Sequence, residues 1–146
     1  MEITMTNKDT NPEYLFTYGT LRNDSDIFKD WGLSAYLEYV KDATIIGSLY
    51  SVNDWYPALV EGDEEIQGQL FKIKDISILQ SLDRYEQYNP ENVLDSLYTR
   101  EVSPEGYQYY KYNMPVNYKE CKKVIENDWQ VYKSKLKTKG KKKWEA

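Results

Sequence analysis

The chain has 146 residues with 24 acidic and 19 basic side chains, a net charge of −5, one cysteine and no histidine. That length fits a single domain able to bury about two-thirds of its unfolded surface, and the lone Cys121 excludes an internal disulfide. Without histidine, serine triads, Cys–His pairs and histidine-based zinc sites are excluded, so any catalysis falls to carboxylates, tyrosines, lysines or backbone groups.

The chain opens on Met1-Glu2-Ile3-Thr4, which lacks the basic stretch and apolar run of a secretory leader. No apolar run approaches the ~18 residues that span a bilayer, so a cytoplasmic protein without a membrane partner is expected. Tyr14 to Tyr18 is dense in aromatic and β-branched residues and ends at Gly19, the pattern of a buried first strand entering a tight turn. Residues 22–35 hold many turn formers and no sustained period, and are expected as a loop with one helical turn, where a lid would sit. Residues 36–52 are strand-like and interrupted at Gly47. Tyr56–Val60 and Ile66–Ile73 continue an antiparallel meander across an acidic turn at residues 61–65, whose spacing does not fit a calcium loop. Gly68, inside a strand, predicts a bulge or a close backbone approach.

Behind Asp75, a good N-cap, Ile76, Leu79 and Leu82 recur every third residue and predict a helix over residues 76–84 that delivers Tyr85 and Glu86 at its end. Leu97–Ser103 and Tyr107–Asn113 flank Pro104-Glu105-Gly106 and read as a hairpin. Cys121, Val124, Ile125, Trp129 and Tyr132 are spaced for one apolar face and predict a final helix over residues 118–132, with Cys121 inert in its core face. Residues 133–146 carry seven lysines against Glu145, a local +6 that leaves −11 for the rest, and are expected as a solvated tail. An acidic body repels phosphate backbones, so no nucleic-acid partner is expected. Strands and helices segregate rather than alternate, which points to an α+β fold and against a parallel βαβ sheet.

Two segments carry candidate chemistry. The turn Tyr18-Gly19-Thr20-Leu21-Arg22 reads either as an ordinary strand exit or as a nest of backbone N–H groups converging on an anion such as a carboxylate. Leu82-Asp83-Arg84-Tyr85-Glu86-Gln87-Tyr88 sets two carboxylates among aromatics at a helix end, where the negative end of the dipole and desolvation both raise a carboxyl pKa. That suits a general acid/base, and the alternative is a solvent-facing acid paired with a nearby cation. The tyrosines of the 97–113 hairpin read as strand packing.

Taken in order, Tyr14-Leu15-Phe16-Thr17-Tyr18-Gly19-Thr20-Leu21-Arg22, Tyr56-Pro57-Ala58-Leu59-Val60, Ile66-Gln67-Gly68-Gln69-Leu70-Phe71, Leu82-Asp83-Arg84-Tyr85-Glu86, Tyr98-Thr99-Arg100 and Asp128-Trp129 resemble the γ-glutamylcyclotransferase-like family. The family includes γ-glutamylamine cyclotransferases, small bacterial proteins and avirulence-induced plant proteins. The resemblance implies an α+β domain over residues 1–132, followed by the tail at 133–146. Its core would be a small mixed, mainly antiparallel β-barrel with flanking helices and a cavity at one end. It implies an enzyme that cyclises a small γ-glutamyl compound to 5-oxoproline and releases an amine or amino acid, without metal or cofactor. Glu86 would be the general acid/base and Asp83 structural, with Tyr18, Gly19, Thr20, Leu21, Arg22 and Tyr98 binding the substrate. After Arg22 the chain has Asn23 and Asp24 where relatives often carry a glycine and a histidine. A non-catalytic small-molecule-binding protein on the same fold is the alternative.

Overall fold

A computed structural model of the chain describes residues 13–116 and 120–145, with side chains through residue 137. The chain start read above for a leader, and the side chains of the distal lysine run, lie outside the described residues. Six strands form one curled, half-barrel sheet: β1 (Glu13–Thr17), β2 (Leu37–Val52), β3 (Tyr56–Ile73), β4 (Tyr98–Val102), β5 (Tyr107–Tyr112) and β6 (Cys121–Lys123). Their order is β4-β5-β1-β3-β2-β6, antiparallel throughout except for the parallel pair β1–β5. Three helices, α1 (Asp26–Asp30), α2 (Ile78–Tyr85) and α3 (Trp129–Glu145), and one-turn 3-10 segments at Leu33–Ala35 and Val93–Asp95 complete the described fold. The architecture is the mixed, mainly antiparallel α+β arrangement expected from the sequence.

β1 is the centre of the molecule because both of its faces are covered. Successive strand residues point to opposite faces, and Leu15 and Phe16 are both fully buried, each in a different cluster. Leu15 packs with Phe71, Leu79, Leu82, Tyr98 and Tyr110, the side closed by α2. Phe16 packs with Tyr18, Ile45, Leu59, Ile66 and Trp129, the side closed by α3. Each such side chain contributes about 1.5–3 kcal/mol by leaving water, so the two clusters fix the end of β1 from both sides. Gly68 makes the close approach its position predicts: a Cβ there would lie 2.2 Å from the Thr17 carbonyl oxygen and 2.5 Å from Phe16 Cζ.

Three expectations change. The acidic segment 61–65 is not a turn between strands. β2 runs opposite it without a break, and the register pairs Gly47 with Glu64 and Ser48 with Val60, so Glu61, Gly62 and Asp63 extrude as a solvent-exposed bulge within β3. The predicted helix over 118–132 is also replaced. Cys121–Lys123 is strand β6 on the edge of β2, Val124 continues it by donating its N–H to the Leu49 carbonyl (2.9 Å), and Ile125 is 78% exposed. Asn127 has a φ of 58°, which a helix cannot accommodate, and α3 begins only at Trp129, with Asp128 Oδ1 accepting from the backbone N–H groups of Gln130 (2.9 Å) and Val131 (3.3 Å). Lastly, the lysine run expected as a solvated tail is helical through Glu145. Lys133 donates to the Asp54 carbonyl (2.9 Å) and Lys135 pairs with Glu126 (2.9 Å).

Candidate active site

The end of β1, the β2–β3 hairpin, α2 and the β4–β5 hairpin enclose a cavity of about 300 Å³. Its floor and walls are largely apolar or aromatic, with Leu15, Phe16, Tyr56, Pro57, Leu82 and Leu97 among them. Its contents depend on how α2 ends. Ile78, Leu79 and Leu82 face the core, so the helix is pinned along one side; its N-cap is Ser77, without a side-chain capping bond, rather than the expected Asp75, whose Oδ1 accepts from the Ser77 N–H (3.0 Å) and hydroxyl (2.7 Å) in the turn before it. At the other end Tyr88 N–H donates to the Asp83 carbonyl (2.8 Å) and Gln87 N–H to the Arg84 carbonyl (3.1 Å), the two bonds of a Schellman motif. Gln87 takes the left-handed position of that motif, with φ 56°, where glycine is usual. The stop fixes Glu86 as the C-cap residue and sets it on the cavity wall.

The two carboxylates of this segment have opposite surroundings. Asp83, one turn earlier, is buried and fully engaged: Arg100 donates through Nε to Oδ1 (2.9 Å) and through a terminal nitrogen to Oδ2 (3.2 Å), and the Tyr110 hydroxyl donates to Oδ1 (2.6 Å). Gln108 Oε1 takes a further guanidinium N–H (2.5 Å). The Arg100 guanidinium is therefore engaged by Asp83 and Gln108. Among the described residues, Glu86 has no hydrogen bond or ion pair to its carboxyl, and no lysine or arginine lines the cavity. Burial without compensation pushes the Glu86 carboxyl up from 4.5 to about 7.

Three phenols surround that carboxyl. Burial pushes Tyr18, Tyr98 and Tyr110 well above the ordinary phenol range, and the charge of Glu86 adds a smaller push to each. All three stay protonated near neutral pH and act as donors, Tyr18 to the Tyr110 carbonyl (2.5 Å), Tyr98 to the Pro57 carbonyl (2.5 Å) and Tyr110 to Asp83. The β1 exit turn also borders the cavity. The backbone N–H groups of Gly19, Thr20 and Leu21 have no hydrogen-bond partner among the described residues, although all three residues border the cavity.

Of the residues singled out in the sequence, Glu86, Tyr18, Gly19, Thr20, Leu21 and Tyr98 come together around this one cavity. Arg22 does not border it: the guanidinium pairs with Asp24 (3.3 Å), and the residue lines a separate polar cavity of about 90 Å³ behind the turn. The loop after Arg22 is tied down by Asn23, whose N–H donates to Gln69 Oε1 and whose Oδ1 accepts from Gln69 Nε2, both at 2.9 Å. The reading of the sequence missed Trp55, 75% exposed at the cavity, and gave no binding role to Tyr85, which borders the cavity and meets Trp31 edge to face at 5.1 Å. A signal for Trp55 exists: Asn53 and Asp54 both have positive φ (54° and 62°), and Asn-Asp between two strands is a hairpin-turn pair that projects the next residue.

The sequence profile described as gamma-glutamyl cyclotransferase, AIG2-like, matches residues 15–140, a span holding both the β1 exit turn and Glu86. The chain belongs to that family. No curated protein sequence matches the chain. Among solved structures it is similar to ytfP from Escherichia coli, with 24% identity, a TM-score of 0.57, and 80% of this chain and 95% of that one covered. An AIG2-like protein from Mus musculus gives 17% identity and a TM-score of 0.53 over 72% of this chain and 80% of that one. An uncharacterized protein from Pyrococcus horikoshii gives 13% identity and a TM-score of 0.61 over 86% and 97%. These likenesses are of fold. Among the described residues no helix is long and apolar enough to cross a membrane, and no group of three or more Cys, Asp or Glu side chains is arranged to hold a metal ion.

Proposed function

We propose that the chain is a γ-glutamylcyclotransferase that cyclises a small γ-glutamyl compound to 5-oxoproline and releases an amine or amino acid, with Glu86 as the general acid/base. The observation that carries this reading is the isolation of Glu86: a carboxyl on an aromatic cavity wall, unpaired, and pushed up to about 7 by burial alone. A group poised near neutral pH both takes and returns a proton.

In this reading the unpartnered N–H groups of Gly19, Thr20 and Leu21 hold the α-carboxylate of the substrate, and the ring of Tyr98 walls its aliphatic part. Arg22 has no role. Ionised Glu86 takes a proton from the substrate's α-ammonium, whose ordinary pKa is about 8. The freed nitrogen attacks the γ-carbonyl carbon of the same molecule and closes a five-membered lactam. Glu86 then gives its proton to the departing nitrogen as the old C–N bond breaks, and the second proton of the ring nitrogen passes through the regenerated carboxylate to the released amine, leaving the lactam N–H and an ammonium product. Because nucleophile and electrophile belong to one molecule, holding the chain curled is worth an effective concentration on the order of 10⁵–10⁸ M.

The test is incubation with γ-glutamyl amino acids, γ-glutamylamines and glutathione, with 5-oxoproline measured by mass spectrometry, beside Glu86→Gln. The expected result is product from at least one compound, reduced ~10²-fold or more in the variant, the scale of a lost acid/base. Full turnover by Glu86→Gln would sink the role of Glu86. Binding of a γ-glutamyl compound without product would assign a binding protein instead.

A further inference from the structure

Gln130 lies outside the cavity and outside the mechanism above, yet its side-chain amide donates through Nε2 to the Gly19 carbonyl at 2.8 Å. It acts from a fixed base. Asp128 caps the first turn of α3 at Gln130 and Val131, and the neighbouring Trp129 is 1% exposed and stacked on Tyr132 at 5.5 Å. Gln130 borders the small polar cavity behind the β1 exit turn, whereas Gly19 and Thr20 border the large one. The turn is therefore a partition one chain thick, and the Gly19 carbonyl is held on its α3 side.

Across a trans peptide the carbonyl and the following N–H point in opposite directions, and no peptide bond in the described chain is cis. A Gly19 carbonyl fixed toward α3 turns the Thr20 N–H away from α3; Thr20 borders the large cavity, and its N–H has no hydrogen-bond partner among the described residues. Glycine restrains its own peptide less than any other residue, so the orientation has to be imposed from outside. We propose that Gln130 is a positioning residue that locks the Gly19–Thr20 peptide with its N–H facing the cavity, where it holds the carboxylate of the ligand. The proposal rests on the reading of this turn as a carboxylate site and is independent of whether Glu86 turns the ligand over.

The test is calorimetric titration of wild type, Gln130→Met and Tyr132→Phe with 5-oxoproline and with 2-pyrrolidone, the same lactam without the carboxylate. Gln130→Met keeps side-chain length and loses the donor, and Tyr132→Phe removes a different α3 contact, the hydroxyl bond to Asp54 Oδ1. Gln130→Met is expected to weaken 5-oxoproline ~10-fold and to leave 2-pyrrolidone within ~2-fold, the scale of one misdirected hydrogen bond to a charge. Tyr132→Phe leaves both unchanged. In turnover, KM rises by the same ~10-fold with kcat within ~3-fold, because the carboxylate is held alike in ground and transition states. Equal weakening of both ligands, no weakening of either, or a wild type without preference for 5-oxoproline overturns the role of Gln130. A wild type that prefers 5-oxoproline and shows the Gln130 effect, yet makes none from any γ-glutamyl compound, upholds it and overturns the cyclotransferase reading.

Discussion

Replacing Glu86 with Gln tests the electrostatics of the cavity independently of any substrate. The folded-state carboxyl titrates near 7 against an ordinary value of 4.5, so between those pH values the native protein binds more protons than the unfolded chain. Stability therefore falls as pH rises through that window, because ionisation costs more in the cavity than in water. A rise from 4.5 to about 7, at 1.36 kcal/mol per unit, makes that cost about 3 kcal/mol once the carboxyl is ionised. Glutamine has the shape of the neutral acid and never ionises. The variant should thus match wild type to within about 0.3 kcal/mol at pH 4 and exceed it by about 3 kcal/mol at pH 7 to 8, while losing turnover. Urea unfolding followed by tryptophan fluorescence from pH 4 to 8.5 measures the difference. A difference that does not change with pH would refute the reasoning, since it would mean that Glu86 ionises as freely folded as unfolded.

Three further outcomes follow from the packing around the site. Gly68→Ala brings a methyl within 2.2 Å of a backbone oxygen that β1 cannot withdraw, and should cost about 3 kcal/mol or more in urea unfolding. Arg100→Met leaves Asp83 buried with only Tyr110 as donor and should cost about 2–4 kcal/mol at pH 7, whereas Arg22→Met, in a pair whose acid is 72% exposed, should change stability by less than about 0.5 kcal/mol. Gln87→Gly relieves a left-handed backbone and should raise the urea midpoint, by up to about 1 kcal/mol of stability after the extra chain entropy of glycine is counted.

Local sequence was informative wherever one element makes its own case. Tyr14 to Tyr18 followed by glycine reads as a strand and turn because aromatic and β-branched density and a permissive residue are local properties, and the first strand is there, at Glu13–Thr17. The same holds for the helix ending at Tyr85 and for the 98–112 hairpin. Residues 118–132 misled because Cys121, Val124 and Ile125 fit a helical spacing that their surroundings override. An open edge on β2 captures Cys121 to Lys123, and hydrogen bonds from a neighbouring strand outweigh helix propensity over three residues. Residues 61–65 misled in the same way, since their charge signals a turn only when no partner strand continues opposite them.

What the sequence determined by itself is the inventory: no histidine, one carboxylate ending a helix among aromatics, and a glycine turn after the first strand. Its order along the chain, with the motifs around it, was enough to indicate the family. What only the tertiary structure decided is environment. Asp83 and Glu86 are three residues apart on one helix end, and nothing in their spacing says which is neutralised. Arg100 and Tyr110, brought in from β4 and β5, saturate Asp83 and leave Glu86 alone in the cavity. Gln130, 111 residues from Gly19, reaches the turn only because α3 docks behind it. A pKa and a peptide orientation are set by through-space neighbours, and those neighbours exist only once the chain has folded.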